Sequence, residues 1–181
     1  MPFKDYLGIN DTVFELEITP NRPDCLSHIG IARELSAYYG KELKYPETEI
    51  KNEIEEKTSD NVKVTIEDSN LSRRYVTRIL KNVNVKESPK WLKERIESVG
   101  LRSINNIVDV SNFILIEMNH PNHVFDLNKI DGNEIKVKSA GNEDKLVTLD
   151  EQERELEDGD IVICDGKKII ALGGVMGGLD S

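Results

Sequence analysis

The spacing of hydrophobic residues changes several times along the chain, and each change predicts an element. Phe14, Leu16 and Ile18 alternate with Glu15 and Glu17, the period of a half-exposed strand, after residues 1–11 that read as a loop or short helical turn. Thr19-Pro20-Asn21-Arg22-Pro23-Asp24 ends that strand, because two prolines fix φ and bar their predecessors from helical geometry. Asp24 is placed to cap a following helix, with Leu26, Ile29, Ala32, Ala37 and Tyr38 toward its packed side and Gly40 as its stop. Residues 41–60 are charged, poor in apolar side chains and without either period. They read as a linker between an N-terminal appendage, residues 1–40, and a main domain, residues 61–181.

Val62, Val64 and Ile66 open the main domain as a strand. Residues 73–82 read as another, with Tyr75, Thr77 and Ile79 on one face and Val76, Arg78 and Leu80 on the other. Ser88-Pro89 signals a helix start, Ser as cap and Pro at the first helical position. Trp91, Leu92, Ile96 and Val99 then share a face, and Gly100 ends the helix. A second helix is predicted over residues 106–118, with Asp109 and Asn112 among apolar neighbours. Buried polar groups must be hydrogen-bonded, so each is either structural or part of a pocket lining; Asp109 reads as structural, and for Asn112 both readings stand. Beyond Asp126 the chain turns strand-rich, at residues 134–138, 146–149 and 161–164, joined by Asp-Gly and Gly-Asn turn signals. Residues 169–178 read as a buried strand opening into two glycine pairs. These elements together predict an α+β fold, helices packed on mixed or antiparallel sheets.

Composition narrows the functions. With 34 acidic against 24 basic residues and a net charge of −10, broad nonspecific nucleic-acid binding is disfavoured, and an RNA partner would have to meet a local patch. Cys25 and Cys164 stand far apart without a Cys-x-x-Cys pair, so neither a disulfide framework nor a zinc site is suggested. No charged-then-apolar leader and no apolar run of membrane length is seen, which makes a soluble cytoplasmic protein the expectation. The terminal glycines lack the Gly-Lys-Ser/Thr of a phosphate loop and the spacing of a dinucleotide fingerprint.

The candidate chemistry lies where the second helix ends. An apolar helix running into Asn119-His120-Pro121 holds a polar corner still, and delivers His123 next to an aromatic and before an acid. A histidine in a proline turn is more often a capping or surface residue, so the corner alone does not settle its role. Arg22, on its own rigid corner, could grip a phosphate or carboxylate; an ion pair to Asp24 or Glu34 is the simpler expectation. Glycine pairs mark tight turns more often than ligand sites, although they can let backbone N–H groups approach a ligand.

Thr19-Pro-Asn-Arg-Pro-Asp-Cys25 with Gly30-Ile-Ala-Arg-Glu-Leu35, Gly100-Leu-Arg-Ser-Ile-Asn-Asn-Ile-Val-Asp-Val-Ser-Asn112, Pro121-Asn-His-Val-Phe-Asp126, Thr148-Leu-Asp150 and Gly173-Gly-Val-Met-Gly-Gly178 resemble the β subunit of bacterial phenylalanyl-tRNA synthetase in order and spacing. The resemblance implies that residues 61–181 are most of a B3/B4 editing domain, incomplete at its C-terminal end, and that residues 1–40 belong to the small domain before it. It implies hydrolysis of mischarged tyrosyl-tRNA(Phe), since a pocket made for phenylalanine rejects one added hydroxyl only about a hundredfold. It makes His123 the catalytic histidine, placed to hydrogen-bond the water or the terminal ribose as base or as water-orienting group, has Ser111, Asn112 and Pro121 bind substrate, and lets the backbone approach the amino acid at Gly177. Family members usually carry Gly-Gln at Asn119-His120 and Thr at Ser111; Asn119 is expected to keep a left-handed helix end, and His120 to be exposed. The family's glutamate that reads the tyrosine hydroxyl, and a further pocket threonine, would lie beyond Ser181. The implied partners are the acceptor end of tRNA(Phe) and an α subunit in an α2β2 assembly, with no membrane and no DNA. ATP and magnesium belong to the parent enzyme, and no cofactor or metal to this stretch. A non-catalytic RNA-binding or subunit-docking module is the alternative.

Overall fold

The computed structural model describes residues 11–180, so the loop or helical turn read before the first strand lies almost wholly outside the described residues. Contacts group the chain into two compact units. One holds the described residues up to Glu47 together with Asn84–Asn122; the other holds Thr48–Val83 and the described residues from His123 onward. No helix among the described residues is long and apolar enough to cross a membrane.

The first unit is helical. Its helix α1, His28–Tyr39, is capped by Ser27, whose Oγ accepts from the Gly30 N–H at 3.1 Å. Asp24 does not cap it, contrary to the sequence reading, because Asp24 lies in a preceding 3-10 turn, Pro23–Cys25, and is held by Arg22. Starting the helix at His28 moves the inward side to Ile29, Ala32 and Ser36, a turn apart, and leaves Leu26, Ala37 and Tyr38 exposed. Gly40 ends it at φ 61° as the pattern predicts. Helix α2, Lys90–Ser98, buries Leu92 and Ile96, four residues apart. Ser88 is not its cap: Pro89 occupies that position, and the Ser88 hydroxyl donates to Asp109 instead. Trp91 is largely exposed and meets Phe113 edge-on with ring centroids 5.8 Å apart.

Helix α3, Asn106–Met118, has the bounds that periodicity predicts. The Asn105 side chain accepts from the Ile107 and Val108 N–H groups, both at 3.0 Å, and Asn119 closes the other end in the left-handed region at φ 53°. Asp109 is completely buried and structural, as expected: Ser88 and Ser103 hydroxyls donate to one oxygen and the Ile104 N–H to the other. The segment with Phe14, Leu16 and Ile18 forms no strand, and Phe14 is 78% exposed. Alternation suits a pleat, but a strand needs a ladder partner, and none is paired with it among the described residues.

The second unit is built on a sheet of order β1-β2-β5-β6-β7, from β1 Lys63–Ile66, β2 Glu134–Ser139, β5 Ile161–Cys164, β6 Ile169–Leu172 and β7 Met176–Gly177. β1 and β2 are parallel and the other pairs antiparallel. Alternating side chains give the sheet two apolar faces. One carries Ile135, Val137, Ile163, Ile170 and Ala171, with Tyr75, Ile79, Phe125 and Leu127 packed on it. The other carries Val162 and Cys164 and packs with Leu146 and Leu156, from the region of a separate two-stranded ladder, β3 Lys145–Val147 with β4 Glu153–Glu155.

Two strand readings change here. Residues 73–82 keep the predicted facing, with Tyr75 and Ile79 inward and Val76 and Leu80 out, yet form no ladder. The strand read at 146–149 ends at Val147 and its partner β4 escapes the pattern altogether, because Glu153-Arg154-Glu155 has no apolar residue to alternate. Cross-strand pairing of Lys145 with Glu153 and Glu155, at 3.2 and 3.3 Å, takes the place of that signal. The first glycine pair is a turn, Gly174 standing at φ 72°, and the second lies at the sheet edge.

Candidate functional site

The β6 to β7 hairpin determines where Gly177 sits. Gly177 pairs with Ala171 across the hairpin, and its carbonyl accepts from the Leu149 N–H at 3.0 Å. Gly178 donates to the Ile170 carbonyl at 2.8 Å and bridges to Thr148, so the second glycine pair is gripped from both sides. Thr148 is wholly buried; its hydroxyl donates to Asp150 and accepts from Arg154 Nε at 3.0 Å. That hydroxyl, with the Arg154 guanidinium 2.6 Å away, holds the Asp150 carboxyl below its ordinary pKa. The result is a rigid backbone floor whose buried residue at position 177 has no side chain.

His123 occupies the volume left open there. A Cβ placed on Gly177 would stand 2.1 Å from His123 Cε1 and 2.6 Å from Nε2, far inside contact distance, so the imidazole is seated directly on the glycine. Phe125 flanks the ring, with centroids 4.5 Å apart and planes inclined by 61°. His123 as a residue is nonetheless exposed to solvent. Partial desolvation lowers its pKa, since burial disfavours the imidazolium. An imidazole fixed on one face can, in its neutral form, accept a proton from water, or orient that water.

Sequence reading and structure meet on part of this site. His123 and Gly177 are brought together in the second unit. Ser111, Asn112 and Pro121 belong to the first, where Ser111 and Asn112 are half-buried on α3 and Pro121 is exposed. Ser111 donates through Oγ to Asn122 Oδ1 at 2.8 Å, and Asn122 Nδ2 donates back to the Ser111 carbonyl and to the His120 carbonyl, both at 3.3 Å. These bonds hold the corner after α3 in shape. His120 itself is exposed, as expected.

Phe125 and Thr148, which adjoin this candidate site, were not singled out from the sequence as site residues, and Asn122 was not singled out at the corner after α3. Phe125 was legible in principle: in extended chain it stands two residues from His123 and so on the same side. Asn122 had the weaker signal of an Asx residue after proline. Thr148 stands in the sequence only within the Thr148-Leu-Asp150 stretch of the resemblance, and its contact comes from a bridge to residue 178.

Arg22 does what the simpler expectation held. Its guanidinium binds Asp24 at 2.8 Å and Glu34 at 2.7 Å, which holds the Asp24 carboxyl down to about 2. Asp24, Cys25 and Glu34 bring potential ligand atoms within 4.8 Å of one another. A magnesium ion asks for open carboxylate oxygens, and here both carboxylates already face a guanidinium, so this cluster does not fit one.

Residues 71–181 match the B3/4 domain family. The chain is also similar along nearly its whole length to proteins named phenylalanine--tRNA ligase beta subunit. That from Fusobacterium nucleatum is 53% identical over 176 residues, covering 97% of this chain and 22% of the relative. The one from Thermotoga maritima is 48% identical over 174 residues, 96% of this chain and 22% of the relative. The one from Geobacter metallireducens is 45% identical over 181 residues, 100% of this chain and again 22% of the relative. This chain thus spans about a fifth of the length of the relatives it matches. The α+β architecture and these matches agree, and the chain belongs to the B3/4 domain family.

Proposed function

We propose that this chain is the editing portion of a phenylalanine--tRNA ligase beta subunit, which hydrolyses the ester of tyrosyl-tRNA(Phe). Residues 61–181 form the B3/B4-like editing domain, 41–60 a charged linker and 1–40 part of the preceding small domain. The observation that carries the reading is the imidazole of His123 seated on Gly177 beside Phe125. Water adds to the ester carbonyl, the bond to the ribose oxygen of the terminal adenosine breaks, and a proton passes to that oxygen, releasing tyrosine and free tRNA. His123 accepts or directs the water's proton. The bare backbone at Gly177 leaves room that a side chain would fill, and Ser111, Asn112 and Pro121 bind substrate. The tRNA(Phe) acceptor end and a synthetase α subunit are the partners, in the cytoplasm; ATP and magnesium serve the parent enzyme's aminoacylation and no step here.

Deacylation of tyrosyl-tRNA(Phe) by the chain, by a version extended beyond Ser181, and by the His123→Ala form of each is the test. Loss of general acid–base help is expected to slow release by about 10²-fold or more. Equal rates with and without His123 would overturn the reading.

A second reading, a docking module without chemistry, is favoured by the exposure of Phe14, Leu16, Tyr38 and Tyr39 in the first unit. It predicts no deacylation by any of these forms, and retention of the chain by the α subunit in co-purification.

A further inference from the structure

Arg154 stands apart from the other charged residues of the β3 and β4 ladder. Lys145, Glu153 and Glu155 share one face of it and pair with one another, whereas Arg154 lies opposite Leu146 on the other face. Its guanidinium reaches beyond the strands to the loop at residues 148–152. Nε donates to the Thr148 hydroxyl at 3.0 Å and Nη2 to Asp150 Oδ2 at 2.6 Å, while the Thr148 hydroxyl donates to Asp150 Oδ1. Three side chains thus close a ring of hydrogen bonds around Thr148, which is wholly buried.

The loop inside that ring is strained. Glu151 sits at φ 62°, in the left-handed region that a residue with a Cβ disfavours, and its N–H closes a turn on the Thr148 carbonyl at 2.8 Å. Such strain persists only where the surroundings over-determine it. A ladder of two strands, each of three residues, is marginal by itself and supplies little of that determination. The Asp150 carboxylate supplies more, since it also accepts from the Gln152 N–H at 3.4 Å, and the guanidinium holds the carboxylate in place. With both side chains partly exposed, the Arg154 to Asp150 ion pair adds little to stability; what it supplies is geometry. The loop in turn carries the seat of His123. Leu149, between Thr148 and Asp150 in the chain, donates its N–H to the Gly177 carbonyl at 3.0 Å, and Thr148 bridges to Gly178. A continuous path therefore runs from the Arg154 guanidinium through Thr148 and Asp150 to the Leu149 N–H, the Gly177 backbone and the His123 ring.

We propose that Arg154 is a positioning residue: acting through Thr148 and Asp150, it fixes the backbone seat that aims His123. Arginine suits the task because Nε and Nη2 leave one rigid plane toward two acceptors, a grip that a lysine ammonium does not reproduce. The reaction served by that seat rests on the editing reading, whereas the link from Arg154 to the seat does not.

The test compares Arg154→Met, which keeps the stem and removes the fork, with Thr148→Val and Thr148→Ser. Lys145→Met is the control, because it breaks the ion pairs on the other face of the same ladder. Deacylation of tyrosyl-tRNA(Phe) is measured with the full chain and with the version extended beyond Ser181, and the His123 ring resonances are recorded by NMR. Arg154→Met and Thr148→Val are expected to lower kcat by about tenfold, less than the hundredfold of a full ångström displacement, with KM little changed. Both should also shift the His123 resonances. The double variant should be no worse than the stronger single one, since each breaks the same ring. Thr148→Ser, which keeps the hydroxyl, should recover most of kcat, and Lys145→Met should leave rate and resonances as they are. Circular dichroism checks the fold; if Arg154→Met does not fold, Arg154→Lys is expected to show the same loss. Unmoved His123 resonances in the Arg154 variant would overturn the proposal, as would equal effects of Lys145→Met. Should the unaltered forms not deacylate, the editing reading fails and the resonances alone decide: a shift in Arg154→Met and Thr148→Val but not in Lys145→Met upholds the link, and no shift overturns it.

Discussion

A methyl group at position 177 would need the space that the His123 imidazole holds, since its carbon would fall 2.1 Å from Cε1. Gly177→Ala is therefore expected to keep the fold, displace the ring and lower deacylation by about 10²-fold, the scale of a displacement near 1 Å at a reacting group. Kinetics paired with the His123 ring resonances in NMR would check both halves. The lowered pKa of His123 sets the pH dependence. A ring that resists protonation stays neutral to a lower pH than a free imidazole, so deacylation should persist through the ordinary histidine range and fall only on the acid side of it. Protonation favours the unfolded chain here, so the same residue lowers stability as pH drops through the ordinary histidine range and has no such effect above it. A pH–rate profile that matches that of His123→Ala would count against the role.

Asp109 obeys the opposite sign. Burial raises its pKa, but donors from Ser103, Ser88 and the Ile104 N–H outweigh that and hold it below the ordinary carboxyl value. Its stabilisation is present above the unfolded value near 4 and is lost as pH falls through the lower folded value. Asp109→Asn should destabilise by about 2–3 kcal/mol at pH 7, because an amide cannot accept from all three donors and leaves a buried group unpaired. Denaturant melts at pH 7 and near pH 3 would show the difference between the two proteins narrowing with acid.

Among the elements, the corner after α3 shows how backbone geometry selects residues. Asn119 sits at φ 53° and donates its side-chain amide to the Pro23 carbonyl at 2.9 Å. Ala there should cost about 1–2 kcal/mol, from left-handed strain and the lost bond, whereas Gly should recover most of that. Thermal unfolding of the two variants would separate the terms. The helices were legible where local rules act alone: α3 from its apolar period, Asn105 and Asn119, and the stop at Gly40. Strand readings fared unevenly because alternation reports which face is buried and says nothing about a neighbour. Residues 73–82 turn Tyr75 and Ile79 inward without a ladder, residues 14–18 form no ladder and leave Phe14 and Leu16 exposed, and β4 pairs without a single apolar residue.

On the scale of the whole molecule, the proposed division into residues 1–40, 41–60 and 61–181 makes a prediction of its own. Residues 41–60 are largely exposed, with a few ties such as Glu56 to Lys81 and Glu53 to Arg78. Limited proteolysis should cut first within them and leave a product beginning near residue 61. First cuts at the junctions near residues 83–84 and 122–123 would instead favour folding by the two contact-defined units.

The residues by themselves determined the α+β class, the bounds of α3, the left-handed end at Asn119, the structural role of Asp109 and the family resemblance. All of these follow from near-neighbour sterics, capping and burial periods, or from residue order, which the chain states locally. Tertiary structure alone decided that residue 177 is the seat of residue 123 and that Thr148 bridges to Gly178. Each depends on which strands become neighbours, and pairing between segments distant in sequence is fixed only when the sheet closes.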